Sequence, residues 1–279
     1  MSTPKVSVIM SVYKKENPIY LNYSLKSIWD DQVFKPYEII LIIDGALTIQ
    51  LDELILKWKT KLKTKLILVN NKKNLGLTKS LNKGLLFCRG DYIARMDSDD
   101  ISTPSRFKLQ VDFLEENKNI DVLGAAMQEF NEEIDCLNVR KYPKTNKEIL
   151  KQIPISCPLC HPSVMFRRNI FDEGNFYNEK YVTSQDIEMW YSLLTKGYKL
   201  GNLDDILLMF RMNKDVAKRR SFKKGINEFK IYFTGIINLF GFSYKLVFPF
   251  IRLTTRLMPP IIINLIYKSS LRNIFNPKS

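Results

Sequence analysis

The amino-acid sequence predicts an α/β protein with a mostly parallel sheet flanked by helices, followed by amphipathic C-terminal helices. Three observations support this fold class. Short β-rich apolar runs alternate with segments whose apolar residues recur at helical spacing. Acidic or aromatic side chains directly follow three of these runs. Finally, apolar stretches interleaved with lysine and arginine are concentrated near the C-terminus.

The N-terminal part of the chain predicts four strands separated by three helices. The strands are predicted at Val6–Val12, Glu38–Ile43, Leu66–Val69 and Tyr92–Met96. Stripes of apolar residues that begin at Leu21, Leu47 and Leu77 indicate the helices between them. This alternation is typical of a parallel sheet covered on both faces, and ligands of such sheets bind beyond the carboxyl ends of the strands.

The order of elements is less regular after Asp100. Ser102-Thr103-Pro104 predicts the start of a helix, because a capping residue followed by proline is typical of a first helical turn. Two further strands are predicted at Val122–Met127 and Ser163–Arg168, and a helix at Asp186–Lys196.

The net charge of +14 is distributed unevenly. Residues 214–279 contain 13 lysines and arginines but only Asp215 and Glu228 as acids, so +11 of the +14 lies there. Apolar residues recur at helical spacing in the same segment, and basic amphipathic helices are typical of membrane interfaces. We therefore expect residues 214–279 to bind an anionic membrane surface and not nucleic acid. Packing of these helices on the rest of the chain, or in a dimer, is the alternative.

Export and membrane spanning are not indicated. No signal peptide is visible, and the apolar uncharged stretch near the C-terminus, Ile231–Tyr244, has 14 residues, short of the roughly 18 needed to span a bilayer. We expect a cytoplasmic protein that is peripheral on the inner face of the cell membrane, with free thiols. Cys157-Pro-Leu-Cys160-His161 matches a haem-attachment pattern, and zinc is conceivable, but buried thiols beside a histidine are favoured.

The acidic cluster Asp97-Ser98-Asp99-Asp100 directly follows the fourth predicted strand. Neighbouring carboxylates repel one another unless a cation or hydrogen-bond donors compensate them. Hard divalent cations such as Mg2+ and Mn2+ prefer oxygen ligands and bridge to phosphates. The position at a strand end favours a metal–diphosphate site over an acidic turn that merely precedes a helix.

Several motifs together resemble glycosyltransferase family 2, the inverting family with the nucleotide-diphospho-sugar (GT-A) fold. The motifs are Val6–Tyr13, Glu38–Gly45, Asn74-Leu75-Gly76 with Asn82, Gly90–Asp100 and Gln185-Asp186. The resemblance extends from Val6 to Met212, and His161–Arg167 further resembles enzymes of bacterial capsule, exopolysaccharide or lipopolysaccharide synthesis. It implies a catalytic domain at residues 1–213, with a nucleotide-binding half (1–100), an acceptor half (101–213) and the tail at 214–279.

The resemblance also implies roles for individual residues on the donor side. Ser11, Tyr13 and Glu16 line the nucleoside pocket, Asp44 binds the base (usually uracil), Asp97 holds the ribose beside the metal, and Asp99 ligates the metal. The sequence departs from the family at Asp44, which Ile43 precedes where a second acid is common.

Asp186 is the candidate general base, since inversion requires a carboxylate that takes a proton from the attacking hydroxyl. An acid favoured by the helix dipole is the structural alternative. Gln185 stands where the family more often has glutamate. Gln185 and His161 are candidates for contacts with the acceptor or the diphosphate, and a structural role for His161 remains open. Arg211 is a candidate for phosphate binding or loop closure.

These features predict a metal-dependent inverting hexosyltransferase that uses Mn2+ or Mg2+. The expected donor is UDP-linked galactose or glucose, and the expected acceptor is a hydroxyl of a lipid-linked or growing cell-surface polysaccharide. A sugar nucleotidyltransferase is one alternative, although Tyr13-Lys-Lys-Glu16 lacks the glycines of a phosphate loop. A non-catalytic sugar-nucleotide-binding membrane protein is the other. The oligomeric state is left open.

Overall fold

The computed structural model describes residues 3–131, 135–212 and 222–257. Within them the strands form one sheet, with the order β3-β2-β1-β4-β8-β6-β9-β5 and β7 paired with β6. The strands are β1 Val6–Val12, β2 Glu38–Asp44, β3 Leu66–Asn71, β4 Tyr92–Arg95, β5 Ile101–Ser102, β6 Val122–Phe130, β7 Cys136–Arg140, β8 Met165–Arg167 and β9 Leu200–Arg211.

The sheet is parallel in its first half and mixed in its second. Strands β3, β2, β1 and β4 pair in parallel, with Val8 opposite Ile39 on one side and Ala94 on the other. Strand β8 is antiparallel to both β4 and β6, while β6 and β9 are parallel. The mixed half follows from the sequence after Asp100, which lacks the regular strand–helix alternation that successive parallel crossovers require.

The helices cover both faces of the sheet. They are α1 Pro18–Ile28, α2 Ile49–Leu62, α3 Leu77–Leu85, α4 Arg106–Glu116, α5 Asn146–Gln152, α6 Asn169–Asp172, α7 Gln185–Thr195, α8 Phe222–Phe240 and α9 Val247–Leu257.

The helix predicted to start at Ser102-Thr103-Pro104 begins later, at Arg106. Ser102 instead belongs to β5, where it pairs with Leu208 of β9, and the Thr103 amide donates to the Leu207 carbonyl. The prediction of this helix start was wrong because pairing with β9, a strand not predicted from the sequence, keeps the chain extended up to Pro104.

Alternation along the central strands divides the core into two layers. Val8 and Met10 face the layer that contains α1, α2 and α4, whereas Ile9 faces the layer that contains α3, α7 and α8. Strand β4 follows the same rule, since Ala94 lies in the first layer and Ile93 in the second. Both faces of the sheet are therefore buried, which explains the nearly continuous apolar runs of the strands.

Helix α8 is packed against α7 in the same core layer. Ile231 and Ile236 are buried, and the ring of Tyr232 meets that of Tyr191 edge-on at 5.8 Å between centroids. Gly235 permits this approach, because a Cβ atom there would lie 2.4 Å from Cγ of Tyr191. Packing on the protein, one of the two expectations for the tail, is thus observed for this helix.

The connection to α9 and α9 itself leave apolar side chains at the surface. Phe242 is 89% exposed and Phe250 52% exposed. In the parts of the chain that the structure describes, no helix combines the length and apolar character required to cross a membrane. Residues 214–221 and 258–279 of the predicted tail lie outside the described residues.

Candidate active site

The carboxyl ends of β1, β2 and β4 surround a cavity of about 330 Å³. All residues predicted on the donor side line it: Ser11, Tyr13, Glu16, Asp44, Asp97 and Asp99. The cavity is also lined by Asn74, Gly76, Leu77, Ser98, Phe210 and Arg211. Of these additional residues, Phe210 and Leu77 could not be predicted as lining residues, because the sequence distinguishes them only by their apolar character.

Asp44 anchors the loop at residues 74–76 that forms one wall of the cavity. Its Oδ1 accepts hydrogen bonds from the Leu75 amide (2.7 Å) and Asn71 Nδ2 (2.9 Å), and its Oδ2 accepts one from the Gly76 amide (2.9 Å). Gly45 has a φ of +86°, and a Cβ atom there would lie 2.7 Å from the Asn74 nitrogen. The close approach of these two segments explains why glycine follows Asp44.

The acidic cluster lies at the same edge of the sheet, in the segment that follows β4. Carboxylate oxygens of Asp97, Asp99 and Asp100 lie within 4.8 Å of one another. Burial raises the pKa of both Asp99 and Asp100, and repulsion from Asp97 adds to the rise. Oδ2 of Asp100 is buried without a hydrogen-bond partner among the described residues. An all-oxygen donor set whose negative charge is only partly compensated by the protein fits a hard divalent cation.

Glu16, on the loop after β1, faces the same cluster. Burial raises its pKa to about 7, repulsion from Asp99 and Asp97 adds to the rise, and a hydrogen bond with Ser98 opposes it. A cation held by the cluster would favour the ionised form of Glu16.

Arg211 closes the cavity from the last residue of β9. Its Nε donates to the Asp99 carbonyl at 2.8 Å, and its backbone amide donates to Asp100 Oδ1 at 2.9 Å. The guanidinium lies 3.8 Å from the centroid of the Tyr20 ring. The structure therefore shows Arg211 fixing the backbone of the acidic cluster, while it also borders the space that a ligand would occupy.

Asp186 lies outside the lining of this cavity, near the start of α7. Burial raises its pKa, and Sγ of Cys157 lies 3.8 Å from its Oδ2. Ser184, which precedes the helix, has a left-handed φ of +61°. Non-glycine residues adopt this conformation at a cost, and such residues cluster at functional sites. Gln185 is buried beside Asp186.

His161 is engaged in a buried hydrogen bond. Its Nε2 lies 2.8 Å from the hydroxyl of Tyr177, and its ring meets Trp190 edge-on at 6.0 Å. Burial lowers its pKa well below 6.5, and the charge of Arg95 lowers it further, so the imidazole is neutral. His161 also lies outside the lining of the donor cavity, and its imidazole is hydrogen-bonded within the protein.

The four cysteines are free thiols, as expected. Sγ of Cys160 lies 3.2 Å from the sulfur of Met127, whereas Sγ of Cys157 contacts Asp186. Within the described ranges, the aspartate cluster is the one group of three or more histidine, cysteine or acidic residues placed to hold a metal.

Comparison with known proteins identifies the class. The model of Glycosyl transferase family 2 matches residues 7–174, and the chain belongs to this family. A β-1,3-galactosyltransferase of Escherichia coli, named UDP-Gal:alpha-D-GlcNAc-diphosphoundecaprenol beta-1,3-galactosyltransferase, is 33% identical over 97% of this chain and 98% of its own. The amylovoran biosynthesis glycosyltransferase AmsE of Erwinia amylovora is 32% identical over 94% of this chain and 97% of its own.

Solved structures agree on the fold. S. aureus TarS 1–349 in complex with UDP-GlcNAc has a TM-score of 0.65 at 19% identity, covering 98% of this chain and 76% of that one. The mannosyltransferase PcManGT from Pyrobaculum calidifontis, in complex with GDP-Man and Mn2+, has a TM-score of 0.61 at 15% identity, covering 99% and 82%. The GT-A fold predicted from the sequence is confirmed, and the chain is a glycosyltransferase.

Proposed function

We propose that this chain is a metal-dependent inverting glycosyltransferase that moves a hexose, galactose or glucose, from a UDP-linked donor to a hydroxyl of a lipid-linked or growing cell-surface polysaccharide. One observation carries the proposal. Asp44 after one strand, and Asp97 and Asp99 after another, line a single cavity at the carboxyl ends of parallel strands. This is the position at which open α/β sheets bind nucleotides.

The donor is proposed to lie along this cavity. Ser11, Tyr13 and Asp44 are assigned to the nucleoside, and Asp97 and Asp99 to the ribose and diphosphate end. The guanidinium of Arg211 borders the cavity and is a suitable partner for a phosphate oxygen. A UDP donor is supported by the name of the E. coli relative, which is similar over nearly the whole chain.

Asp97 and Asp99, with Asp100 behind them, are proposed to hold Mn2+ or Mg2+. When bound, the ion supplies positive charge against the diphosphate that leaves with the nucleotide. The chain contributes the oxygen ligands and the backbone bonds from Arg211 that fix them.

Asp186 is proposed as the general base. Its carboxylate takes the proton of the acceptor hydroxyl as that oxygen forms its bond to the anomeric carbon, on the face opposite the nucleotide. The carboxylate is half-buried, which limits its contact with water. Gln185 lies beside it and is a candidate contact for the acceptor, whereas the contact of His161 with Tyr177 favours a role in shaping this half.

A lipid-linked acceptor is proposed on two grounds. The name of the E. coli relative specifies an acceptor on diphosphoundecaprenol. The tail at residues 214–279 carries +11 net charge together with exposed apolar residues such as Phe242 and Phe250. We therefore place the protein peripherally on the inner face of the cell membrane, where such an acceptor would be reached.

The deciding experiment is a screen of sugar nucleotides with the full-length protein, a polyprenyl-diphosphate sugar acceptor and Mn2+, with nucleotide release and product mass as readouts. The expected result is release of UDP coupled to formation of an extended lipid-linked sugar. Formation of pyrophosphate from UTP and a sugar 1-phosphate would instead indicate a nucleotidyltransferase. Binding of UDP with Mn2+ but no transfer from any donor would indicate a binding protein.

A further inference from the structure

Arg95 is a buried cation at the end of β4. Its side chain is 3% exposed. Because alternate residues of a strand share a face, Arg95 points to the same side as Ile93, which packs in the core layer with Trp190. A guanidinium in an apolar layer is costly unless its charge and its donors are compensated.

The compensation of Arg95 is incomplete. Its Nη2 donates to Oδ1 of Asp97, but Nε and Nη1 have no hydrogen-bond partner among the residues that the structure describes. Arg106, which is also fully buried, is different: its three nitrogens donate to Gln110 Oε1, to the sulfur of Met96 and to the Arg95 carbonyl. Arg106 thus supports the backbone, whereas Arg95 directs its charge at one carboxylate.

The charge of Arg95 also bears on the proposed base. Burial raises the pKa of Asp186, and the backbone amides of Ile187 and Asp186 and the charge of Arg95 oppose that rise. The Arg95 guanidinium is thus bound to a donor-side carboxylate and favours the ionised form of Asp186 as well.

We propose that Arg95 is a positioning residue, which orients Asp97 toward the donor diphosphate and supplies the positive charge that the donor carboxylates and Asp186 share. The inference rests on the proposed function, because the role of Asp186 as base is assigned there. Loss of the charge has two separable consequences: the Asp97 carboxylate loses its anchor, and Asp186 holds its proton to a higher pH.

Several other groups surround Asp186. The titratable or charged neighbours are Arg95 of β4, Cys157 before β8, Tyr177 before α7, and Glu228 and Tyr232 of α8, with Arg252 of α9 3.8 Å from Glu228. Burial raises the pKa of the thiol and of both phenols, so these three stay neutral at physiological pH. Glu228 raises the pKa of Asp186, whereas Arg95 and the backbone amides of Ile187 and Asp186 favour its ionised form.

The test compares Arg95→Met and Arg95→Gln, which remove the charge, with Arg95→Lys, which keeps it. In a profile of kcat against pH, the acid limb is the fall in kcat at low pH. We expect the neutral variants to shift this acid limb to higher pH by about half a pH unit or more. We expect their affinity for UDP with Mn2+, measured by calorimetry, to fall about tenfold, as is typical when the partner of a metal ligand is removed. Arg95→Lys should retain the wild-type limb.

Arg106→Lys is the matched control, because it changes an equally buried arginine whose hydrogen bonds go to Gln110, Met96 and the Arg95 carbonyl and not to an acid of the site. It is expected to lower the melting temperature without moving the acid limb. The proposal is overturned if a folded neutral variant of Arg95, judged by circular dichroism, retains both the wild-type limb and the wild-type affinity. If the wild-type protein transfers no sugar, the proposed function fails, while UDP and Mn2+ binding still decides whether Arg95 supports Asp97.

Discussion

Two buried aspartates of the donor cavity show how hydrogen bonding decides what a carboxylate does. Both oxygens of Asp44 accept hydrogen bonds, from two backbone amides and one side-chain amide. Asp100 accepts one from Arg211 and keeps its second oxygen without a partner in the described part of the chain. Asp44 is thus compensated by the protein, whereas the cluster at Asp97, Asp99 and Asp100 is compensated only in part, which agrees with the cation proposed there.

At the residue scale, Asp99→Asn should separate ligand binding from stability. It removes an oxygen ligand, so we expect affinity for UDP in the presence of Mn2+ to fall at least about tenfold. It also removes a repulsive charge, so the melting temperature without metal should not decrease. Calorimetry and thermal melting measure the two effects. Asp112→Asn, an exposed acid of α4, is the control, and unchanged binding by Asp99→Asn would exclude this residue as a ligand.

The second prediction at this scale concerns the base. Asp186→Asn cannot accept a proton, so transfer should fall by about two to four orders of magnitude, while UDP and Mn2+ still bind. Glu188→Gln is a matched control, because Glu188 is in the same helical turn and its carboxylate accepts from Asn178. Near-normal transfer by Asp186→Asn, measured with an identified donor, would remove Asp186 from the mechanism.

At the scale of elements, α7 is the helix on which the acceptor half depends. It carries Gln185 and Asp186 at its start and packs through Trp190 on the sheet. On its other side it contacts α8, where Tyr191 faces Gly235. The helix that bears the proposed base is therefore enclosed between the catalytic sheet and the first helix of the basic segment.

Gly235→Val should destabilise the protein, although valine is a better helix former than glycine. Replacement of a helical glycine normally stabilises by up to about 1 kcal/mol. Here the new Cβ atom would lie 2.4 Å from the ring of Tyr191, so overpacking of about 1–3 kcal/mol should dominate. The midpoint of urea unfolding measures the sign. Thr234→Ala, the exposed neighbouring position, should change the midpoint little, and a stabilising Gly235→Val would contradict the observed packing.

At the scale of the whole molecule, charge and apolar surface are concentrated in one segment. The first 213 residues carry only +3 of the net +14. Deletion of residues 214–279 would be a poor test of membrane binding, because it would also remove α8 and its buried contacts with α7. Substitution within the basic run is cleaner.

The triple substitution of Lys218, Arg219 and Arg220 by glutamine should weaken binding to anionic vesicles. Each basic residue near an anionic surface contributes roughly 1 kcal/mol, so the loss should approach about 3 kcal/mol at low salt. Vesicle flotation at two salt concentrations measures it, and zwitterionic vesicles provide the control. Equal flotation of both proteins with both kinds of vesicle would contradict electrostatic attachment.

The local sequence pattern was sufficient to predict the strands and helices of the nucleotide-binding half. The strands at Val6–Val12 and Glu38–Asp44 and the helix at Leu77–Leu85 agree with the prediction to within a residue. The same pattern placed Tyr13, Glu16, Asp44, Asp97 and Asp99 at one edge of the sheet, because they follow parallel strands, whereas Ser11 was assigned from the family resemblance. The strands of the acceptor half were harder to predict. Strands β5, β7 and β9 pair antiparallel or with segments distant in the chain, so strands and helices do not alternate regularly there.

The sequence by itself therefore determined the family, the donor-side acids and the location of the basic charge, because each depends on residues close together along the chain or on strand-end position. Only the tertiary structure decided how these parts are connected. It placed Arg211 against the acidic cluster, the buried guanidinium of Arg95 against Asp97, and α8 against α7. Each of these contacts depends on side-chain burial and on segments that meet only when the chain folds, and no local pattern encodes that.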